Sequence, residues 1–187
     1  MALTCKLSNN ILRTTSCGYS LPEVTDIYLA NYADVKTSKG SGATCGEEIT
    51  SITAAVSGET LVAYHIEPAK NSTSFEDALV VEDNGNKYRT HTLTFNISGT
   101  YDACMRDNLD NLALGRYFAV VKTAEGKYLA LGRLTGLEAE TATLAGGGDT
   151  NGLQIVLSAN VTESAIPLSG DEESGAVKQL LDAVPNA

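Results

Sequence analysis

The chain of 187 residues has no tryptophan, and phenylalanine and tyrosine bring its aromatic share to only 6%. A stacking platform for sugars or nucleobases is therefore poorly supplied. Basic residues are also scarce: 13 lysines and arginines stand against 23 aspartates and glutamates, which leaves a net charge of −10. Gripping nucleic acid or an anionic membrane through counterion release is disfavoured, and acidic polymers should be repelled. The four cysteines, Cys5, Cys17, Cys45 and Cys104, are far apart, with no C-x-x-C and no nearby histidine, so a zinc site is not expected. The N-terminal residues show no basic, then apolar, then small-residue pattern, and the cysteines are expected to be free, mostly buried thiols. No stretch approaches the ~18 consecutive apolar residues of a membrane helix, so a soluble chain is expected.

What is present is a globular composition. Apolar residues make up 43% and charged residues 19%, and a chain of this mass removes about 70% of its surface from water on folding, enough for a core without staples. Threonine, valine, leucine and alanine dominate, which favours a mainly β fold. The organisation reads as an N-terminal arm over 1–23, one strand-rich domain over 24–166 and an acidic linker with a short helix over 167–187.

Along the chain, VTDIYLANY from Val24 suits a half-buried strand. Residues Lys36 to Glu48 are rich in glycine and serine and are expected to form an exposed loop, mobile at its tip. ITSITAAV from Ile49 and LVAYHIE from Leu61, separated by Ser57-Gly58-Glu59, look like a hairpin. A longer hairpin spans Ser74 to Ser98. A three-residue loop Asn84-Gly85-Asn86 would pair Phe75 with Phe95, Asp77 with Leu93 and Leu79 with His91. That register puts Phe75, Leu79, Val81, Leu93, Phe95 and Ile97 on one side. Ser74, Glu76, Glu82, Thr90, Thr92, Thr94, Asn96 and Ser98 fall on the other. At about 3.3 Å per residue the ribbon is ~30 Å long and needs neighbours.

From Thr100, Tyr101, Met105, Leu109 and Leu112 share a helical stripe that Gly115 closes. RYFAVVKT and KYLALGR flank Ala124-Glu125-Gly126 as a central hairpin, apolar on both faces. Leu134 to Leu144 and Leu153 to Val161 add two strands, the second with Leu153, Ile155, Leu157, Ala159 and Val161 inward. After the acidic SGDEESG stretch, Val177, Leu180, Leu181 and Val184 mark an amphipathic helix that must dock on its own domain or on a neighbour.

Motifs for catalysis are weak. Gly146-Gly147-Gly148-Asp149 lacks the Lys-Ser or Lys-Thr of a phosphate loop and reads as a turn. His65 and His91 lie in strands without a visible partner and read as structural. The acids Glu47-Glu48, Glu82-Asp83 and Asp171-Glu172-Glu173 fall in turns and linkers, where charge is solvated. The sequons at Asn71, Asn96 and Asn160 read as ordinary asparagines. The chain is therefore expected to work by binding geometry, not as an enzyme, and without metal or other cofactor.

The order of elements, with YLANYADV near the front, a long polar-faced hairpin, one helix, the stretch GRYFAVVKTAEGKYLALG and a late strand ending in SANVTESAIP, resembles the tail-tube proteins of bacteriophages. It looks most like virion structural proteins of phages that infect Bacteroidetes-type hosts. The resemblance covers residues 24–166. It implies a mainly β (α+β) fold, an antiparallel β-sandwich or half-barrel with one flanking helix, assembling into stacked six-membered rings, each subunit giving four strands to an inner barrel. Twenty-four strands at ~4.8 Å make a circle of ~37 Å before tilt widens it, with about 25 Å free inside. On this reading Ser74, Glu76, Glu82, Thr90, Thr92, Thr94 and Asn96 line the lumen, and Lys39, Gly40, Ser41 and Gly42 make contacts between rings. The partners implied are further copies, other tail or connector proteins, and genomic DNA passing without specific binding, in a virion assembled in the host cytoplasm. Alternatives are another virion ring, a head-tail connector or a decoration protein, or a cell-surface ligand-binding β-sandwich.

Overall fold

The computed structural model describes residues 23–42, 46–69, 72–97, 103–145 and 152–185. The expected N-terminal arm, the triple glycine, Asn71, Tyr101 and three of the cysteines, Cys5, Cys17 and Cys45, lie outside those residues, as do the side chains of Cys104 and Met105. The fold is mainly β, an antiparallel sandwich or half-barrel with flanking helices. Strand β1 is Val24–Asn31 and is followed by a 3-10 turn, Tyr32–Asp34; β2 is Val35–Ser41, β3 Glu47–Ala54, β4 Tyr64–Ile66, β5 Ser74–Val81 and β6 Lys87–Ile97. Helix α1, Ala103–Leu114, leads into β7 Arg116–Thr123, β8 Tyr128–Leu131, β9 Leu137–Ala145, β10 Gly152–Val161, the short β11 Ile166–Pro167 and helix α2 Gly175–Asp182.

Strand β7 organises the rest. It pairs with β1 on one side and with β8 on the other, and at Arg116 and Tyr117 also with the start of β9. Its run RYFAVVKT is buried on both faces, as continuous apolar patterning requires. Phe118 and Val120 join Tyr28 and Ala30 of β1 in one cluster, closed by Ile49 and Ile52 of β3 and by Ala176, Val177 and Leu180 of α2. Tyr117, Ala119 and Val121 point the other way, onto Leu93 and Phe95 of β6 and Leu153, Ile155 and Leu157 of β10. Leu112 of α1 seals that second cluster, with Leu109 packed against it. The nine-stranded sheet thus turns back on itself where β9 leaves β7, and the order β9-β10-β6-β5 forms the far wall.

Several expectations change. The segment Lys36 to Glu48 is mostly strand: β2 and β3 form a two-stranded antiparallel ribbon, with Val35 opposite Ala54 and Ser41 opposite Glu47. Ile49 and Ile52 anchor that ribbon in the core, which outweighs its glycine and serine content. β3 therefore does not pair with the Leu61 segment; β4 pairs with β1, Tyr28 opposite His65. β9 begins at Leu137, and Leu134 sits in the preceding turn. Gly115 follows α1 without a left-handed backbone. A Cβ there would meet the Tyr117 hydroxyl, which donates to the Asn111 carbonyl at 2.6 Å. Helix α2 docks on its own domain, and the Gln179 side chain accepts the Ile52 N–H at 2.8 Å.

The long hairpin is correct in its faces and wrong in its register. Phe75 lies opposite Leu93, Asp77 opposite His91 and Leu79 opposite Arg89. Glu82 N–H donates to the Asn86 carbonyl at 2.9 Å, so the loop is Asp83-Asn84-Gly85, with Gly85 in its third place at φ +86°. That place needs a left-handed residue, and Gly126 fills the same place, at φ +75°, in the β7–β8 loop. The slip displaces each partner by two residues, and an even displacement leaves the faces unmixed. Leu79 and Val81, expected in the core, are 58% and 56% exposed because the ribbon outruns the body there. Replacing Phe95 with alanine should cost about 3–5 kcal/mol in urea unfolding. Leu79→Ala, on the same face but beyond the body, should cost less than about 1 kcal/mol; similar costs would contradict this arrangement.

Candidate functional site

The far wall carries one continuous polar face. Alternation puts Leu93 and Phe95 of β6 and Leu153, Ile155 and Leu157 of β10 inward, so the residues between them face out. Cross-strand pairing sets these in rows. Ser74, Thr94, Val156 and Thr141 form one row; Glu76, Thr92, Ser158 and Glu138 another; Ala78, Thr90 and Asn160 a third; Asn96, Gln154 and Thr143 a fourth. Thr90 donates its hydroxyl to the Asn160 side chain at 2.9 Å. None of these strand positions is a lysine or arginine. Among the described residues the cation in contact is Arg116 of β7, whose guanidinium pairs with Glu138, Nε to Oε1 at 2.6 Å.

Of the residues assigned to a lumen from sequence, Ser74, Glu76, Thr90, Thr92, Thr94 and Asn96 share this face. Glu82 lies in the turn, where its carboxylate accepts from the Asn84 side chain at 3.1 Å. Sequence reasoning missed Gln154, Ser158 and Asn160. The alternation that identified the inward leucines of β10 also marked these as their outward neighbours. Glu138, Thr141 and Thr143 of β9 were less legible, because β9 gains an extra residue between Ala139 and Thr141 that shifts its alternation.

Two edges of the wall are open among the described residues. β5 pairs only with β6, and β9 beyond Glu138 pairs only with β10. Each edge also shows apolar side chains to solvent, Leu79 and Val81 on β5 and, at 60% exposure, Leu144 on β9. A groove of about 400 Å³ opens at the foot of β9, lined by Tyr32, Arg116, Thr135, Glu138, Ser158 and Asn160 among others. The Tyr32 hydroxyl is engaged there by the Leu134 carbonyl at 2.5 Å.

The proposed contact loop is part of the ribbon. Lys39, Gly40 and Ser41 lie in β2, and the Gly42 N–H donates to the Gly46 carbonyl at 2.9 Å. Lys39 is tied to Glu47 at 2.6 Å and to Glu163 of the body at 3.6 Å. His65 proves to have a carboxylate partner, and His91 has a carboxylate nearby without a hydrogen bond to it. His65 Nε2 is 2.8 Å from Asp26 Oδ1, and its ring stacks on Tyr28 at 5.0 Å. Burial raises the Asp26 carboxyl, but bonds from His65 and Thr25 outweigh it and hold the group below its usual range. The Tyr28 phenol is pushed up to about 12 by burial and by the Asp26 charge. Beside it, Lys122 reaches Glu172 at 2.8 Å, and this bond keeps the ammonium protonated above its ordinary range. These contacts tie β1, β4 and β7 to the segment before α2.

Among the described residues no three His, Cys, Asp or Glu side chains converge as a metal site, and no helix is long and apolar enough to cross a membrane. Comparison with protein families, curated proteins and solved structures returns no match. The two faces of β6 predict a sharp contrast between neighbours. Thr92→Lys should leave urea stability within about 0.5 kcal/mol of the parent, whereas Leu93→Lys should abolish cooperative unfolding. Equal tolerance at the two positions would refute an outward Thr92.

Proposed function

We propose that this protein is the subunit of a homo-oligomeric tube of the phage tail-tube type, in which the polar face of β9-β10-β6-β5 lines a bore that conducts DNA. The observation that carries the reading is the direction and stagger of the two open edges. In an antiparallel order of four strands, β5 runs opposite to β9. Rotational symmetry preserves direction, so β5 of one copy meets β9 of the next as an antiparallel pair and the barrel closes without a break. An odd number of strands would leave a parallel junction at each subunit.

The stagger fits closure as well. The middle of β5, Asp77 and Ala78, is level with His91 and Thr90 of β6, while the middle of β9, Thr141, is level through Val156 with Thr94. That offset is about 12 Å along the strands over three spacings of about 4.8 Å, a tilt of about 40°. Closed barrels have strand tilts of about 35–45°. At this tilt six copies give a backbone diameter of about 48 Å, wider than the untilted circle and roomy for a duplex. Matching faces would put Ala142 and Leu144 of one copy on the same side as Leu79 and Val81 of the next, covering the apolar groups that both edges expose.

On this reading Glu76 gives the bore a fixed negative charge and Glu138 one that Arg116 offsets, within a ring that carries about −60 over six chains at −10. Phosphates would be repelled by such a wall, so DNA would slide. A head-tail connector or other virion ring would use the same closure with a different stack. The groove beside Arg116 is the feature that favours a monomeric ligand-binding sandwich. Sedimentation at high protein concentration and negative-stain imaging test the reading: rings or tubes are expected, and a single ring without stacking points to a connector. Leu79→Lys with Leu144→Lys should leave the monomer folded and stop assembly. A parent protein that remains monomeric throughout would end the proposal.

A further inference from the structure

His91 is the most deeply buried polar side chain of the far wall, 1% exposed, and it faces the body just inside the open edge. Its Nδ1 accepts the Gly132 N–H at 3.1 Å. An accepting Nδ1 carries no proton, so the neutral ring holds its proton on Nε2. That nitrogen is buried and makes no hydrogen bond, the Asp77 carboxylate standing 3.5 Å away. Asp77 is itself engaged. Its Oδ1 accepts from Arg89 Nε at 2.5 Å and its Oδ2 from the Ala165 N–H at 2.9 Å. The charged groups facing His91 come from each element packed on it: Asp77 of β5, Arg89 of β6 and Glu163 of the segment after β10. Glu163 is gripped in turn by Arg133 of the turn after β8, at 2.5 and 2.6 Å, and approached by Lys39 of β2.

A second proton can enter this ring only at Nδ1, where it would confront the Gly132 N–H, donor against donor. We propose that His91 is an acid-operated latch: protonation at Nδ1 breaks the bond to Gly132 and releases the β5–β6 ribbon, and with it the open β5 edge, from the turn at Gly132 and the segment at Glu163. The consequence for ring closure rests on the assembly reading above; the latch itself belongs to the single subunit. Burial holds the imidazole below its ordinary value of 6.5 and Arg89 adds to that shift, while Asp77, the Glu163 charge and the Glu163 backbone work against it. A histidine lowered in the fold contributes stability that is intact above about 6.5 and drains away as the pH falls from there through the folded value.

Hydrogen–deuterium exchange of dilute, monomeric protein, corrected for the intrinsic pH dependence of exchange, tests the latch. Exchange over residues 74–97 and 128–136 should rise between pH 8 and pH 5 while β1 and the first half of β7 stay protected. The open population should grow by up to about tenfold for each pH unit below about 6.5. His91→Asn keeps an acceptor for the Gly132 N–H and cannot titrate, and should flatten the response; His65→Asn should leave it intact. Should His91→Asn fail to fold, the ring signal of His91 in the parent protein decides by NMR: a midpoint below 6.5 accompanied by loss of the Gly132 amide protection supports the latch. A midpoint at or above 6.5, or a Gly132 amide equally protected at both pH values, overturns it. Sedimentation of concentrated protein at pH 8 reports separately on assembly, so absence of rings would count against the tube and not against the latch.

Discussion

A strand with one oily and one hydroxyl-bearing side can be satisfied only when its neighbours present the same sides in step. β5, β6, β10 and β9 meet that condition in rows that run from Ser74 across Thr94 and Val156 to Thr141. The constraint fixes the inner cluster of Leu93, Phe95, Ile155 and Leu157 and turns the polar side chains outward, although the Asn96 side-chain oxygen at one end of the face is itself buried. It also explains how the long ribbon tolerates a slip of its loop: a displacement of two residues changes partners but not sides. Stability comes from the inner half of this wall against β7, and any function of the outer half is free of the demands of packing.

Much of this was legible in the amino-acid order because it is local. The double-sided burial of β7 follows from the uninterrupted apolar run in RYFAVVKT, and the inward set of β10 follows from its alternation. Helix α2 was legible from the spacing of Val177, Leu180 and Leu181, though not where it would dock. The β2–β3 ribbon was not legible. Its glycines and serines signal a loop, and the burial of Ile49 and Ile52 that overrides them depends on α2, far away in sequence. The partners of His91 were hidden for the same reason: Gly132 and Asp77 reach it only once β8 and β5 have been placed. The hairpin register was misjudged for a different, recoverable reason, since Gly85 belongs in the left-handed third place of its loop as Gly126 does in its own.

The polar clusters divide by location. The Asp26, His65, Lys122 and Glu172 group joins strand ends near the surface, where screening keeps such pairs weak. The Asp77, His91, Arg133 and Glu163 group lies under the far wall and joins segments that share no hydrogen-bonded strand with one another beyond β5 and β6. Removing one member there strands another in a drier setting, which is the costlier case.

One small contact limits how the molecule can grow. The outer edge of β3 is engaged from Ile49 to Ile52: Leu168 bridges Ile49, the Ser169 N–H donates to the Ile49 carbonyl at 2.9 Å, and the Gln179 amide oxygen takes the Ile52 N–H. That stretch of β3 is therefore spent as a template, and a further strand cannot add to it there. Any association of copies would have one direction fewer open to it, and a molecule of low valence builds ordered chains of contacts where one of high valence would gel.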